Sequence, residues 1–280
     1  MTRKQLIDQI QQKQSYLCVG LDTDITKIPK HLRSHPDAIF EFNKQIIDAT
    51  KDLCVSYKIN TAFYEALGSK GWEAMERTVN YIPKGHFKIA DAKRGDIGNT
   101  SSQYAKAFFE TLNFDAITVA PYMGEDSVKP FLEHENKWAI VLGLTSNAGS
   151  KDFEQLKLAG GGANHDIEFL YEAVLRKVSQ WGDPANLMFV VGATKASDLA
   201  SIRKIIPEHF LLVPGVGFQG GSLEETSKYG MIKDSSTTAR CGLLVNVSRA
   251  IIYAGEGENF AEEVRAIAEQ YQSEMAGHLQ

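Results

Sequence analysis

The 280-residue sequence is poor in cysteine, and its three cysteines lie far apart. Cys18, Cys54 and Cys241 form no CxxC pair, which argues against a disulfide framework or a zinc site. The first residues are polar and lack the apolar core of a signal peptide. No run approaches the roughly 18 apolar residues that a membrane-spanning helix needs. These absences predict a protein of the reducing cytoplasm with no membrane span, and Cys18 and Cys54, which lie in apolar runs, should be buried.

An excess of positive charge is also lacking. The formal net charge is -5 at pH 7, and no basic stripe of the kind that follows a phosphodiester backbone is visible, so nucleic acid is not an expected partner. Hydrophobic residues make up 43% and charged residues 23% of the chain, as in ordinary globular proteins. No break in composition marks a linker. We therefore expect one domain over residues 1–280.

The chain contains a repeating pattern of short apolar runs, each followed by an amphipathic segment of helical periodicity. The apolar runs are continuous, which is typical of parallel strands buried on both faces. Eight such units predict a single (β/α)8 barrel, the TIM barrel, rather than an open doubly wound sheet, because no glycine fingerprint follows the first run. The predicted strands are Tyr16–Asp22, Val55–Asn60, His86–Lys93, Ala116–Pro121, Trp138–Ser146, Leu187–Thr194, Phe210–Gly217 and Leu243–Arg249.

Polar residues cluster where these strands end. Active sites of such barrels lie at the carboxyl ends of the strands, so these side chains should converge on one mouth. An active site at this mouth is favoured over the alternative, in which these residues are scattered charges on the surface. The residues are Asp22, Lys58, Asn60, Asp91, Lys93, Asp96, Thr145, Ser146, Asn147 and Arg249.

The third strand carries the densest charge. Side chains alternate between the two faces of a strand, so Asp91 and Lys93 should share the inner face while Ala92 points outward. Lys58, at the end of the neighbouring strand, can lean toward them. Such a cluster suits a site that manages charge created during a reaction. A structural ion-pair network at the barrel rim is the alternative interpretation.

A glycine-rich segment, PGVGFQGG at Pro214–Gly221, follows the seventh strand, and Arg249 ends the eighth. The loops after these two strands often form a phosphate site in barrels. Glycine lets backbone N–H groups approach an anion, and a guanidinium offers a planar charged fork to its oxygens. A phosphate site is therefore favoured over a plain turn beside a surface arginine.

These motifs together resemble the orotidine 5'-phosphate decarboxylase family, in particular its longer bacterial members. The resemblance spans nearly the whole chain, and the segment around Lys93 is its most specific part. The matching segments are VGLD at Val19–Asp22, YKINTAFYEALG at Tyr57–Gly68, DAKRGDIGNTS at Asp91–Ser101, TSNAGS at Thr145–Ser150, PGVGFQGG at Pro214–Gly221 and NVSRAIIYA at Asn246–Ala254.

The resemblance implies decarboxylation of orotidine 5'-phosphate to UMP without a cofactor or metal, through a carbanion at C6 of the pyrimidine. It implies that Lys93 protonates C6, that Asp91 lies beside the departing carboxylate, and that Lys58 completes the charged array. It also implies a homodimer in which Asp96 and Thr100 reach into the partner's active site.

The same resemblance implies how the substrate is held. Asp22 and Lys58 would contact the ribose, and Ser146, with Asn147 as a possible substitute, would contact the pyrimidine. Gln219 and Arg249 would hold the phosphate. Two further residues, Asn60 and Pro214, are expected to line the substrate site.

Three other functions compete with this one. Metal-dependent sugar-phosphate decarboxylases or aldolases of related barrels also carry a DxKxxD strand. A Schiff-base aldolase would use the amine of Lys58 or Lys93, although the carboxylates that flank Lys93 would keep its amine protonated. A nucleotide-binding barrel without catalytic activity is the third, and the complete set of charged residues argues against it.

Overall fold

The computed structural model describes residues 1–158, 168–192, 196–216, 221–234 and 239–280, and eight parallel strands close into a barrel at its centre. Each strand pairs with the strands before and after it in the chain, and the eighth pairs with the first, for example Val245 with Leu17. The eight strands are Leu17–Gly20, Ser56–Asn60, Phe87–Arg94, Ala116–Val119, Trp138–Leu144, Leu187–Val191, Phe210–Pro214 and Leu243–Val247.

Helices surround the barrel and bury their apolar faces against it. The strands other than the third are buried along nearly their whole length, as the continuous apolar runs predicted, and the third is buried in its first half. The α-helices are Arg3–Lys13, Ala38–Thr50, Ala62–Glu65, Ser69–Tyr81, Gly98–Lys106, Glu125–Leu132, Leu170–Val178, Ala196–Ile205, Leu223–Gly230, Arg249–Ile252 and Phe260–Leu279, with a π-helical turn at Ala107–Thr111 and 3-10 turns at Lys30–Leu32 and Ala148–Asp152.

The predicted (β/α)8 barrel is confirmed, and each predicted strand overlaps an observed one. Two short antiparallel hairpins were not predicted. One joins Lys157–Leu158 to Glu168–Phe169, and the other joins Ile232–Lys233 to Arg240–Cys241. A two-residue strand has no detectable period, which is why these hairpins escaped a search based on periodicity.

The first helix, Arg3–Lys13, covers the end of the barrel where the strands begin. The Met1 amino group contacts Asp115 Oδ1 at 3.0 Å, just before the fourth strand, and Trp138 Nε1 donates to the Met1 carbonyl at 2.7 Å. Arg3 Nη1 donates to the carbonyl of Pro184 at 3.0 Å. One end of the barrel is therefore covered, and the site must lie at the other.

All three cysteines are buried thiols, which confirms the expectation for Cys18 and Cys54. Burial raises the pKa of Cys18 to about 12 and those of Cys54 and Cys241 to about 11, so all three are protonated at neutral pH. Within the described residues, no helix has both the length and the apolar character that a membrane crossing requires.

Candidate active site

Four charged side chains from the first three strands form an alternating row at the barrel mouth. Lys58 Nζ lies 3.1 Å from Asp22 Oδ1 and 3.1 Å from Asp91 Oδ2. Lys93 Nζ lies 2.6 Å from the other Asp91 oxygen, Oδ1. The row therefore runs Asp22, Lys58, Asp91, Lys93, and both oxygens of Asp91 are paired with ammonium groups.

Burial differs along this row. The Lys58 and Asp91 side chains are 5% and 12% exposed, whereas Lys93 is 51% exposed and faces the open mouth. Burial alone would raise the pKa of Asp91, but the positive charges of Lys58 and Lys93 hold it well below its usual range. Burial alone would lower the pKa of Lys58, but Asp22 and Asp91 raise it above its usual value. The buried part of the row is thus fully ionised at neutral pH.

Lys93 reaches this position through an irregular backbone. Its φ is +46°, a left-handed value that L-residues rarely adopt, and the pairing with the fourth strand shifts register between Ala90 and Arg94. The Lys93 N–H donates to Thr118 Oγ1 at 2.8 Å, and that hydroxyl donates to Asp91 Oδ1 at 3.1 Å. Lys93 and Asp91 do lie together, as predicted, but a bulge anchored by Thr118 brings them there rather than regular alternation.

A cavity of about 310 Å³ opens above this row. The predicted site residues that line it include Asp22, Lys58, Asn60, Asp91, Lys93, Ser146 and Pro214. Arg249, at the end of the eighth strand, lines the same cavity, as do Thr145 and Asn147 beside Ser146. Apolar side chains such as Leu142, Val190 and Leu212 complete the wall. The mouth thus combines a charged end, a polar turn, an arginine and an apolar wall.

Two predicted site residues, Asp96 and Thr100, are not part of this lining. Asp96 and Thr100 lie beyond the third strand, Thr100 on the exposed start of the helix Gly98–Lys106, and neither borders the cavity of its own chain. Gln219 lies outside the described residues. The predicted contribution of Asp96 and Thr100 to a partner's site is compatible with this placement and stays a prediction.

Sequence reasoning missed several polar residues of the site. Thr118 anchors the bulge, and Asn246 and Ser248 line the cavity beside Arg249. Thr118 and Asn246 are polar residues inside otherwise apolar strand runs, and that is a detectable signal, because a buried polar group must be hydrogen-bonded. Within the described residues, no group of three His, Cys, Asp or Glu side chains could hold a metal ion.

A closed parallel barrel with a charged array, a polar turn and an arginine at the carboxyl ends of its strands defines the chain as an enzyme-like (β/α)8 barrel. The family model described as "Orotidine 5'-phosphate decarboxylase / HUMPS family" matches residues 15–264. The chain belongs to this family.

Individual relatives agree with this assignment. The orotidine 5'-phosphate decarboxylase of Bacteroides fragilis is 56% identical over 282 residues, covering 100% of this chain and 98% of the relative. The solved structure of Leishmania donovani OMP decarboxylase is 35% identical with a TM-score of 0.78, covering 98% of this chain and 99% of that one. Leishmania donovani UMP synthase is 36% identical with a TM-score of 0.80; 97% of this chain is covered, but it spans only 57% of that longer chain.

Proposed function

We propose that the protein decarboxylates orotidine 5'-phosphate to UMP and CO2, the last step of de novo pyrimidine synthesis. The observation that carries the proposal is the Lys93 ammonium, held 2.6 Å from Asp91 at the exposed end of a buried charged row. The family and the relatives, which are named for this activity, give the proposal its substrate.

In the proposed reaction, the bond between C6 and the substrate carboxylate breaks, and its electron pair stays on C6. That pair lies in the plane of the ring and is not delocalised, so it needs a fixed positive charge beside it. The Lys93 ammonium supplies this charge without reorganising as the bond breaks. It then transfers a proton to C6, and the neutral amine regains a proton from solvent. No electron sink is required, so we propose a reaction without cofactor or metal.

Asp91 and Lys58 would prepare this environment. Asp91 pairs with both ammonium groups and would lie beside the departing carboxylate, whose negative charge it repels. Lys58 is held between Asp22 and Asp91, each 3.1 Å away, and would contact the ribose together with Asp22. Because the row is already assembled, the substrate meets charges whose positions are set before it binds.

The remaining lining would bind the substrate away from the reacting carbon. We assign the pyrimidine to Ser146 with its neighbour Asn147, and the phosphate to Arg249 together with Gln219. Binding energy gained at the phosphate can be used at C6, because the two ends of the substrate are held by one rigid barrel. Asn60 and Pro214 would complete the substrate contacts.

We further propose a homodimer in the cytoplasm, with Asp96 and Thr100 completing the partner's site. Large apolar side chains are exposed on the helices and loops that follow the second, third and fourth strands. A second copy of the chain would remove this apolar surface from water. The exposed residues are Phe63, Leu67, Trp72, Ile97, Tyr122 and Met123.

The metal-dependent alternative is less well supported. Related barrels of that type would need carboxylates free to bind a divalent ion, but here Asp22 and Asp91 both face the ammonium of Lys58. A metal ion between them would have to displace that charge. The relative from Bacteroides fragilis, 56% identical over its length, also carries the decarboxylase name and not that of a sugar-phosphate enzyme.

Replacing Lys93 by Ala tests the proposed role directly. We expect turnover of orotidine 5'-phosphate to fall by roughly a thousandfold or more, because both the charge and the proton donor are lost. UMP should still bind, since its phosphate and base contacts remain. Lys177→Ala, on the exposed surface of the helix Leu170–Val178, is the matched control and should retain full turnover. Unchanged turnover in Lys93→Ala would refute the assignment.

A further inference from the structure

The turn that follows the fifth strand is held by a carboxylate from outside the predicted site. The Thr145 N–H donates to Glu154 Oε2 at 2.7 Å, and the Thr145 hydroxyl donates to Glu154 Oε1 at 2.8 Å. Glu154 therefore holds the main chain and the side chain of Thr145 at once. Thr145 and the next two residues, Ser146 and Asn147, all line the cavity.

The Thr145 hydroxyl lies between two side chains, those of Glu154 and Asn147. Thr145 Oγ1 also lies 2.6 Å from Asn147 Oδ1, which like the carboxylate can only accept, yet a hydroxyl has only one hydrogen to donate. An ionised carboxylate can only accept, so that hydrogen must go to Glu154. The amide must then turn its Nδ2 toward Thr145 and donate to the hydroxyl, since the positions of amide oxygen and nitrogen follow from the hydrogen-bond network. The charge of Glu154 thus sets the orientation of the Asn147 amide.

We propose that Glu154 is a positioning residue for recognition of the pyrimidine ring. It fixes the Thr145–Asn147 turn and orients the Asn147 amide, while touching no substrate atom itself. The inference rests on the proposed function, in which Ser146 and Asn147 meet the base. Gly192 packs against the other side of the turn, where a Cβ would lie 2.8 Å from Ser146 Cβ, so the turn is confined from both sides.

The side chain of Glu154 can be changed without removing the local fold. Its carbonyl accepts from the Tyr171 N–H at 2.9 Å, and the carbonyl of Leu156 accepts from the Leu170 N–H at 2.8 Å. The hairpin of Lys157–Leu158 with Glu168–Phe169 follows directly. These main-chain bonds are independent of the carboxylate, so variants at Glu154 should keep the hairpin.

The test compares the inhibition constants of UMP and of ribose 5-phosphate, both measured against orotidine 5'-phosphate turnover. Only UMP carries the base, so the comparison separates binding of the base from binding of the ribose and phosphate. For Glu154→Ala we expect the constant for UMP to rise roughly tenfold, as for loss of hydrogen bonds to a charged group, and that for ribose 5-phosphate to change by less than about twofold. Glu154→Gln should lie between wild type and Glu154→Ala. Its Oε1 still accepts from the Thr145 N–H, but its Nε2 donates to the Thr145 hydroxyl. The hydroxyl then donates its own hydrogen to Asn147, so the Asn147 amide turns the opposite way.

Glu168→Gln is the matched control, because Glu168 belongs to the same hairpin but pairs with Arg176 on the surface. It should leave both constants unchanged. Equal increases for UMP and ribose 5-phosphate in Glu154→Ala, or no increase for UMP, would overturn the role of Glu154 while wild-type turnover upholds the proposed function. A wild-type protein that neither turns over orotidine 5'-phosphate nor binds UMP would overturn both.

Discussion

At the scale of single residues, one hydroxyl organises the reacting end of the site. Thr118 donates to Asp91 and accepts from the main chain of Lys93, so it links the two residues across the bulge. Thr118 is itself fully buried. Without it, the left-handed backbone at Lys93 would lose an anchor, and Asp91 would lose a neutral donor.

Replacing Thr118 by Val should lower the turnover number roughly tenfold, because one buried hydrogen bond on each side of the hydroxyl is lost. Val keeps the branched shape that the strand requires, so the fold should persist. Thr118→Ser, which keeps the hydroxyl, should recover most of the activity. Steady-state kinetics with both variants checks this, and full turnover in Thr118→Val with a loss in Thr118→Ser would show that shape rather than the hydroxyl matters.

The types and places of the charged residues were predictable from the sequence, but the local geometry was not. Asp91 and Lys58 stand at strand ends, where barrel topology directs them to one mouth. The conformation of Lys93 depends on a register shift against the fourth strand, and register is a property of two strands together. Glu154 lies nine residues beyond Thr145 along a segment with no clear period, so its contact with the turn could not be predicted.

At the scale of elements, a single arginine joins two helices to the start of the barrel. Arg203 Nε donates to the carbonyl of Gly230 at 2.6 Å, and Nη1 donates to those of Ile206 and His209 at 3.2 and 2.6 Å. Nη2 donates to the carbonyl of Gly242 at 2.8 Å. These carbonyls lie at the ends of two helices and just before the seventh and eighth strands, and the carbonyl of Gly242 also accepts from the Leu211 N–H at 2.9 Å.

Arg203→Met should therefore destabilise the protein by about 3 kcal/mol or more, since several buried carbonyls would lose their donor. Arg203→Lys, which has one ammonium instead of a guanidinium fork, should lower the free energy of unfolding by an intermediate amount. Urea denaturation of the three proteins measures the difference. In the folded fraction, turnover should be retained, because Arg203 lies at the end of the barrel opposite the cavity. An unaltered denaturation midpoint in Arg203→Met would contradict this account.

The regular elements followed from the sequence because their patterns are strong. Eight apolar runs predicted eight strands, and their order around the barrel is the order of the chain. The limits of the helices were less predictable. The helix Gly98–Lys106 passes into a π-helical turn at Ala107–Thr111, and that turn has no sequence signal of its own.

At the scale of the whole molecule, the barrel has one covered end and one open end. The helix Arg3–Lys13 packs across the start of the strands, while the cavity and the charged row occupy the other end. Beside that open end lie Asp96 and Thr100, which do not border the cavity of their own chain, and a group of exposed apolar side chains. This arrangement is what a shared site between two copies would require.

Mixing inactive subunits tests that proposal. Lys93→Ala and Asp96→Ala should each be inactive alone, but a mixed dimer has one site in which both Lys93 and Asp96 are intact. Roughly a quarter of wild-type activity per total site is expected for random exchange with no other coupling, because half of the dimers are mixed and each has one complete site. Gel filtration of the mixture should show a dimer. No recovery of activity from exchanged subunits would contradict a site shared through Asp96.

The central claim is that the row Asp22, Lys58, Asp91, Lys93 decarboxylates orotidine 5'-phosphate without help from a metal. The most direct measurement follows the ultraviolet absorbance change of orotidine 5'-phosphate in the presence of excess EDTA. The account predicts the same turnover with and without EDTA. A protein that shows no turnover, or that loses it on chelation and regains it with a divalent metal ion, would contradict the account.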